Sequence, residues 1–501
     1  MDTVSRYFSS LLQKYWLFLL IILALALRLF HLDQYGLWYD EAISYKAAQL
    51  DIRSILTNQI QSSHPPLYYL TLHYWIYFFP DSDFSARMLS VIWNIALIPV
   101  VFCLSKKLTQ NNKIAFFAVL LIVISPFHIT YSQELRMYTQ LMFLTTSGIL
   151  CYLYAVENKN YYWIIFILIF LLAIYTHYFA SFILLALLIY EIIFRKNTSI
   201  IPLTFSCLIL FVLFIPWIYI TLNHPDASQG SLRPLLEGGY NQNPIIMAPL
   251  ANLVFVIFGK LIDNVLYFYI ATYITLAFFG IFILNFYKIK TNIDSSVKFL
   301  SIIILVAIIV PSLSHYLFTM YFPPRSISSI SPLVLILISC GIVYRNKILS
   351  SLIYVTLLLS FFFTINYFIN YQNNYGKVPN VKVSEFIINN YSHGDSILHT
   401  DDFSYIPMLR YIDFPNHARL NDNNARLLRP DSSYEPIGGQ LWSFDDLKKQ
   451  SGRLWLIVAG IKHFDWQAEQ KINILQQYDL IDQYIITGYE IYLIDLENSY
   501  Y

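Results

Sequence analysis

The chain has 501 residues, 57% of them hydrophobic and only 13% charged, with 32 Lys and Arg against 31 Asp and Glu. Soluble domains carry about a quarter charged residues, so half that load excludes a protein solvated by water alone. The net charge of +1 gives no reason to expect a nucleic-acid partner.

In chain order, the first apolar run is Tyr15–Phe30. Lys14 before it and Ala24-Leu25-Ala26 within it imitate a secretory signal, but the triplet lies inside the run and not after it, so an uncleaved first span is expected. Further runs cover Ala86–Leu104, Ala115–Tyr131, Tyr138–Val156, Tyr161–Thr176, Phe179–Phe194 and Ile200–Leu222. Val265–Tyr287, Phe299–Phe318, Ile327–Tyr344 and Ile348–Ile369 follow. Most approach the roughly 20 residues a helix needs to cross the hydrocarbon, which predicts a polytopic α-helical membrane protein of about 11 transmembrane helices. The cysteines Cys103, Cys151, Cys207 and Cys340 all fall in strongly apolar stretches, as small buried hydrophobes would, and not in a disulfide or zinc pattern.

Lys and Arg set the orientation. With Arg6 and Lys14 in the cytoplasm, every second connection is cytoplasmic: Lys106, Lys107 and Lys113; Lys159; Arg195 and Lys196; Lys288, Lys290 and Lys298; Arg345 and Lys347. These connections are short and basic, as the positive-inside rule requires. The N-terminus is then cytoplasmic, and an odd number of spans leaves everything after Ile369 outside. Among the outward connections, His31–Ser85 is long enough to do more than connect. Pro66–Phe79 within it, apolar but short, reads as an interfacial helix.

From Asn370 the charge rises and the apolar runs shorten. Val383–Tyr391 predicts a helix ended by His393-Gly394-Asp395, then Ser396–Thr400 a strand, Leu454–Ala459 a buried strand, Ala468–Gln477 a helix and Gly488–Asp495 a closing strand. The expected division is a transmembrane domain over 1–369 and a small extracytoplasmic α/β domain over 370–501.

The suspicious charges cluster at the expected outer face. Leu37-Trp38-Tyr39-Asp40-Glu41-Ala42 places two acids after two aromatics just beyond the first span, which is costly unless they are paired or used. Asp40 could serve as a base toward a hydroxyl, or could simply cap a helix over Glu41–Leu50. In His64-Pro65-Pro66-Leu67-Tyr68-Tyr69, His64 stands where it could donate to a phosphate, or merely occupies a turn. Tyr131-Ser132-Gln133-Glu134-Leu135-Arg136-Met137-Tyr138 puts Glu134 and Tyr138 four apart on one expected helix face, with Arg136 offset from it. Arg136 suits a phosphate oxygen pair, or snorkels and pairs with Glu134. Arg325, in Tyr321-Phe322-Pro323-Pro324-Arg325, and Arg87, after Ser85-Ala86, are two more cations at that level. One carboxylate and several cations converging from spans far apart in sequence are what transfer from a lipid-linked phosphate needs.

These motifs, in this order, resemble the C-type membrane glycosyltransferases, in particular the bacterial family 39-like proteins related to protein mannosyltransferases and to the aminoarabinose transferase of lipid A. The likeness runs from Met1 to about Ile369 and rests on Trp38-Tyr39-Asp40-Glu41, His64-Pro65-Pro66-Leu67-Tyr68-Tyr69, Ser85-Ala86-Arg87, Ser125-Pro126, Ser132–Tyr138 and Arg325. It implies a polyprenyl-phosphate-linked sugar as donor, inversion at the anomeric carbon, and a hydroxyl acceptor (lipid, glycan or protein). It puts the catalytic acid at Asp40, with Glu41 beside it. Arg136 and Arg325 are then the phosphate ligands, and His64, Arg87, Glu134 and Tyr138 the remaining donor contacts. Some relatives carry Lys where this chain has His64, and an acid where it has Ser63, so the resemblance implies no metal and no cofactor here. Two other readings of the same hydropathy are a lipid-linked saccharide transporter, whose polar groups would lie deep within spans, and a non-catalytic binding relative.

Overall fold

The computed structural model describes residues 2–57, 64–157, 160–194, 199–223, 247–258, 272–273, 275–276, 292–318, 324–341, 347–369, 380–421, 434–459, 465–486 and 488–499. The chain opens with helix α1 (Asp2–Leu29), then a segment carrying α2 (Tyr39–Gln49), α3 (Ile52–Leu56) and α4 (Leu67–Phe78). Next come α5 (Asp83–Thr109), α6 (Asn112–Ile124), α7 (Pro126–Ser132), α8 (Tyr138–Ala155), α9 (Tyr161–Thr176), α10 (Ala180–Phe194) and α11 (Ile200–Leu222). The apolar part ends with α12 (Met247–Phe258), α13 (Asn292–Phe318), α14 (Ser331–Cys340) and α15 (Lys347–Ile369).

Among the described residues, α5, α11 and Ser295–Leu313 of α13 are each long and apolar enough to cross a bilayer, and α6 with α7 makes a fourth if that bent pair is one span. Shorter apolar helices fill out the bundle. The span expected over Val265–Tyr287 lies largely outside the described residues, as do Lys159, Arg195, Lys196, Lys288, Lys290 and Arg345. Where Pro66–Phe79 was expected to lie at the interface, α4 buries Tyr68, Tyr69 and Leu72 and leaves Tyr77 and Phe78 open on its other side.

One expected span is broken. Hydropathy reads Ala115–Tyr131 as continuous, but the helix bends by 55° between α6 and α7. Pro126 has no N–H to give the carbonyl of Ile122, and the bend strips the next two carbonyls of their partners as well. All three are recovered from other helices. Arg28 of α1, fully buried, donates Nη2 to the Ile122 carbonyl at 3.0 Å and Nη1 to that of Val123 at 3.2 Å. Thr364 of α15 donates to the Ile124 carbonyl at 2.6 Å. Arg28 also holds Asn94 of α5 through Nε at 2.7 Å. The chain returns the service: Gln133, just past α7, donates to the carbonyls of Arg28 and Phe30 where α1 ends.

Beyond the apolar part stand α16 (Asn380–Asn390), β1 (Ser396–His399), α17 (Asp402–Met408), β2 (His417–Leu420) and β3 (Leu441–Trp442). They are followed by α18 (Phe444–Leu447), β4 (Arg453–Ala459), α19 (Asp465–Gln477), β5 (Tyr478–Ile486) and β6 (Tyr489–Ser499). The strands form one sheet in the order β3-β2-β1-β4-β6-β5, parallel from β3 to β4 and antiparallel at β6 and β5. β4 is apolar throughout because both its faces are covered: Leu454, Leu456 and Val458 enter one core, Trp455 and Ile457 the other. This is the α/β region expected from the sequence.

Candidate active site

Asp40 lies inside the first turn of α2, whose N-cap is Trp38, so Asp40 is not the cap that one reading of the sequence offered. Glu41, at the third helical position, reaches back and accepts from the backbone N–H of Trp38 at 3.3 Å. The Asp40 carboxylate instead faces two cations. Its Oδ2 sits 2.5 Å from Nη1 of Arg325 and 3.9 Å from Nη2 of Arg136. Arg136 is fixed by Nη1, which donates to the Asp40 carbonyl at 3.1 Å and to the Ser44 hydroxyl at 2.9 Å. Ser44 in turn donates to the Asp40 carbonyl. The Nε of Arg136 is buried without a hydrogen-bond partner among the described residues. A buried guanidinium with an open donor is poised for a further acceptor.

The remaining walls are aromatic. Arg136 lies 5.9 Å from the centre of the Tyr138 ring, and Arg325 lies 6.0 Å from that of Trp38. His64 packs on His177, ring centres 4.9 Å apart, and His177 stands 6.4 Å from Tyr138. Burial, then His177 and the guanidinium groups of Arg136 and Arg325, hold the His64 imidazole well below its ordinary value. Burial and the same two arginines bring His177 down to about 3. Both imidazoles are therefore neutral, and the positive charge of the pocket belongs to the two arginines.

The structure separates two of the sequence-predicted residues from this pocket. Arg87, expected to face a lipid phosphate, is fully buried and has given away all its donors. Nε and Nη2 grip the two oxygens of Glu41 at 2.9 and 2.7 Å, and the rest go to the carbonyls of Leu32, Tyr35 and Gly36. An arginine has five N–H groups, and these contacts use five. Glu41 is likewise sealed, accepting also from the Leu135 N–H at 2.8 Å. The pair is a bracket that joins the start of α2, the loop before it, α5 and the link after α7. Glu134 and Tyr138 do not share a helix face: α8 begins at Tyr138, and Glu134 lies in the non-helical link Gln133–Met137. That link is what presents Arg136 to Asp40, and a helix there would not. Ser44 and His177 were not singled out from the sequence. Ser44, four residues after Asp40, carried a helical-spacing signal; His177 carried only its place in the short connection after α9.

Residues 63–220 match the family described as dolichyl-phosphate-mannose-protein mannosyltransferase. That stretch runs from His64 through Arg136 to α11 and leaves out Asp40 and Arg325, which join it by folding. The whole fold is shared with ArnT from Cupriavidus metallidurans: TM-score 0.63 for the apo state at 10% identity, over 96% of this chain and 98% of that one. ArnT bound to undecaprenyl phosphate gives a TM-score of 0.64 at 10% identity with the same coverage. Over nearly its whole length the chain shares the fold of ArnT, and over residues 63–220 its sequence resembles the mannosyltransferase family. A looser likeness, TM-score 0.49 at 13% identity over 81% of this chain and 64% of that one, is to the Archaeoglobus fulgidus oligosaccharyltransferase. Comparison with curated protein sequences gives no significant match. The likeness to ArnT extends past the bundle into the α/β region, because 96% of the chain is covered.

Proposed function

We propose that the chain is an inverting glycosyltransferase that moves a sugar from a polyprenyl-phosphate-linked donor to an acceptor hydroxyl at the outer face of the cytoplasmic membrane. The observation that carries this reading is a carboxylate, Asp40, held between Arg325 and Arg136, with one buried donor of Arg136 still open. ArnT, one solved example of the fold, has a structure bound to undecaprenyl phosphate, which makes that carrier the first donor lipid to test.

In this scheme the donor phosphate takes the open edge of Arg136 and draws Arg325 off Asp40. Asp40, released, accepts the proton of the acceptor hydroxyl. The oxygen attacks the anomeric carbon from the face opposite the phosphate, and the carbon–oxygen bond to phosphate breaks with its electron pair staying on the phosphate. Arg136 and Arg325 neutralise the charge that develops on the leaving group, where pre-placed donors in a water-poor site count most. Neutral His64 has one N–H to offer the same phosphate. Glu41 and Arg87 take no part beyond holding α2 in place.

Incubating membranes that contain the protein with a labelled polyprenyl-phosphate sugar and extracted cell-envelope fractions should move label to an acceptor. Movement of intact lipid-linked sugar across the bilayer without transfer would favour a transporter, and donor binding without turnover a binding relative. The arrangement of about eleven spans, N-terminus inside, predicts that a reporter active only after export works when fused at Tyr501; a cytoplasm-only reporter lighting up there would sink that topology.

A further inference from the structure

Asp40 sits close to a loop, Gly36–Trp38, that does little to hold itself. Glu41 takes the Trp38 N–H and Arg87 the Gly36 carbonyl, so it is the backbone N–H and carbonyl of Leu37 that need partners from elsewhere. The α/β region supplies them. The Leu37 N–H donates to the Tyr411 hydroxyl at 2.7 Å, and the Leu37 carbonyl accepts from Asn380 Nδ2 at 2.7 Å. Both bonds come from more than 340 positions away in sequence, and together they satisfy the whole backbone of one residue. Asn380 is itself aimed by the Tyr489 hydroxyl, which donates to its Oδ1 at 2.5 Å.

Tyr411 does more than receive. Its hydroxyl donates to Asp83 Oδ2 at 2.5 Å, and Arg410 beside it reaches Asp83 Oδ1 at 3.1 Å and Asp81 at 2.8 Å while lying over the Tyr45 ring at 3.9 Å. Asp83 is in the first turn of α5, one turn before Arg87, and Tyr45 is in α2. The same tyrosine therefore ties the loop before Asp40 to the helix whose Arg87 grips Glu41. Packing is as close as it can be: a Cβ at Gly36 would lie 2.9 Å from the Tyr411 hydroxyl oxygen. Phe403 of α17 adds a ring contact to Tyr39, centres 5.1 Å apart.

We infer that Tyr411 and Asn380 are positioning residues for Asp40, and that through them the α/β region sets the geometry of the transfer site. The inference rests on the functional reading above, since it needs Asp40 to be the group that must be placed. Domain adhesion alone would scatter contacts over the interface; here the Tyr411 and Asn380 hydrogen bonds fall on Leu37, just before α2, and on Asp83, at the start of α5.

The test uses purified full-length protein and three variants. Tyr411→Phe removes one hydroxyl. Asn380→Asp keeps the shape and the acceptor for Tyr489 but replaces the donor to Leu37. Arg453→Met, a control, breaks the 2.7 Å ion pair to Asp395 elsewhere in the same α/β region. Tyr411→Phe and Asn380→Asp should each lower kcat for transfer by about tenfold to a hundredfold, the loss that small misplacements cause, with donor KM within about twofold. Amide hydrogen exchange over Leu37–Glu41 should rise in both. Arg453→Met should lower Tm at least as much and leave kcat and that exchange unchanged. The inference is overturned if both variants exchange like the wild type, or if the control loses as much kcat for each degree of Tm. If the wild type transfers no sugar yet exchange rises in the two variants alone, the placement of the Asp40 loop by Tyr411 and Asn380 stands and the glycosyltransferase reading falls.

Discussion

Asp40 and Glu41 are neighbours on the first turn of α2, each beside an arginine, yet the two pairs are finished to different degrees. Glu41 and Arg87 are both 0% exposed and mutually saturated, with each leftover N–H given to a loop carbonyl. Asp40 and Arg325 are 16% and 28% exposed, and the second cation, Arg136, stands off at 3.9 Å with a donor unspent. A buried pair that lacks nothing has no chemistry left to offer; its worth is geometric, and breaking it leaves a bare charge. A pair that is partly open and over-supplied with positive charge is one a phosphate can enter. The difference between scaffold and site is thus one of hydrogen-bond completeness and not of residue type.

That contrast can be broken in three ways. Arg87→Met should be the most damaging to the fold, because it leaves the buried Glu41 charged without its cation. The expected loss is about 3–5 kcal/mol, read as a fall in Tm or in folded protein recovered in detergent, with partial recovery when Glu41→Gln is added. An Arg87→Met protein as stable as the wild type would remove the scaffold half of the comparison. Asp40→Asn should do the reverse: folded protein at wild-type level, transfer down at least about 100-fold, the lower range for a positioned base. Transfer at the wild-type rate would move the base to Glu134, since Glu41 is spoken for. Arg136→Lys keeps the charge but not the planar fork that meets Asp40 and Ser44 together, so donor use should fall by about tenfold, less than for Arg136→Ala. Equal activity of the lysine variant would mean that only charge matters there.

The smallest effect extends the comparison to a pair of like groups. His399 and His417 of the α/β region face each other, Nε2 to Nε2 at 2.8 Å. Burial pushes His417 down to about 4, and burial with His417 alongside pushes His399 well below its ordinary value. The unfolded chain, with imidazoles near 6.5, therefore takes up protons before the folded one. Stability is full above about pH 6.5 and is lost as the pH falls toward 4, where His417 itself charges. Thermal melts of the full chain should slope over that window, and His417→Gln should flatten the slope.

What the sequence made legible follows from what each signal measures. Hydropathy located the apolar helices, but it counts side chains and not hydrogen bonds, so Ser125-Pro126 passed for the middle of a span although Pro126 was in plain view. Arg28, which mends that break, drew no notice, because its partners are backbone carbonyls that every residue has. The motifs placed Asp40, Arg136 and Arg325 among the candidates, and folding does bring these three together; their roles still rest on the proposal. Arg87 was misjudged because a cation near the outer face looks the same whether its donors are spent or free. In the α/β region, β4 was legible as an apolar run, while His417–Leu420 carries a buried histidine and arginine and Leu441–Trp442 is too short to show alternation. Tyr411 and Asn380 left no mark, since a backbone group seeking a partner has no sequence signature.

Arg28 also bears on how the protein is made. It ends a helix that is synthesised before α6, and an arginine without partners is costly when such a helix is handed to the bilayer. The carbonyls that offset it belong to Ile122 and Val123, nearly a hundred residues later in synthesis. Until α6 arrives, α1 is a reluctant resident of the membrane, best kept at its edge or beside the insertion machinery. Once α6 enters, each supplies what the other lacks, and the kinked segment that could not sit in lipid alone gains a reason to stay. The charge at the end of α1 and the bare carbonyls of the broken helix are thus two deficits that close only when the two helices meet.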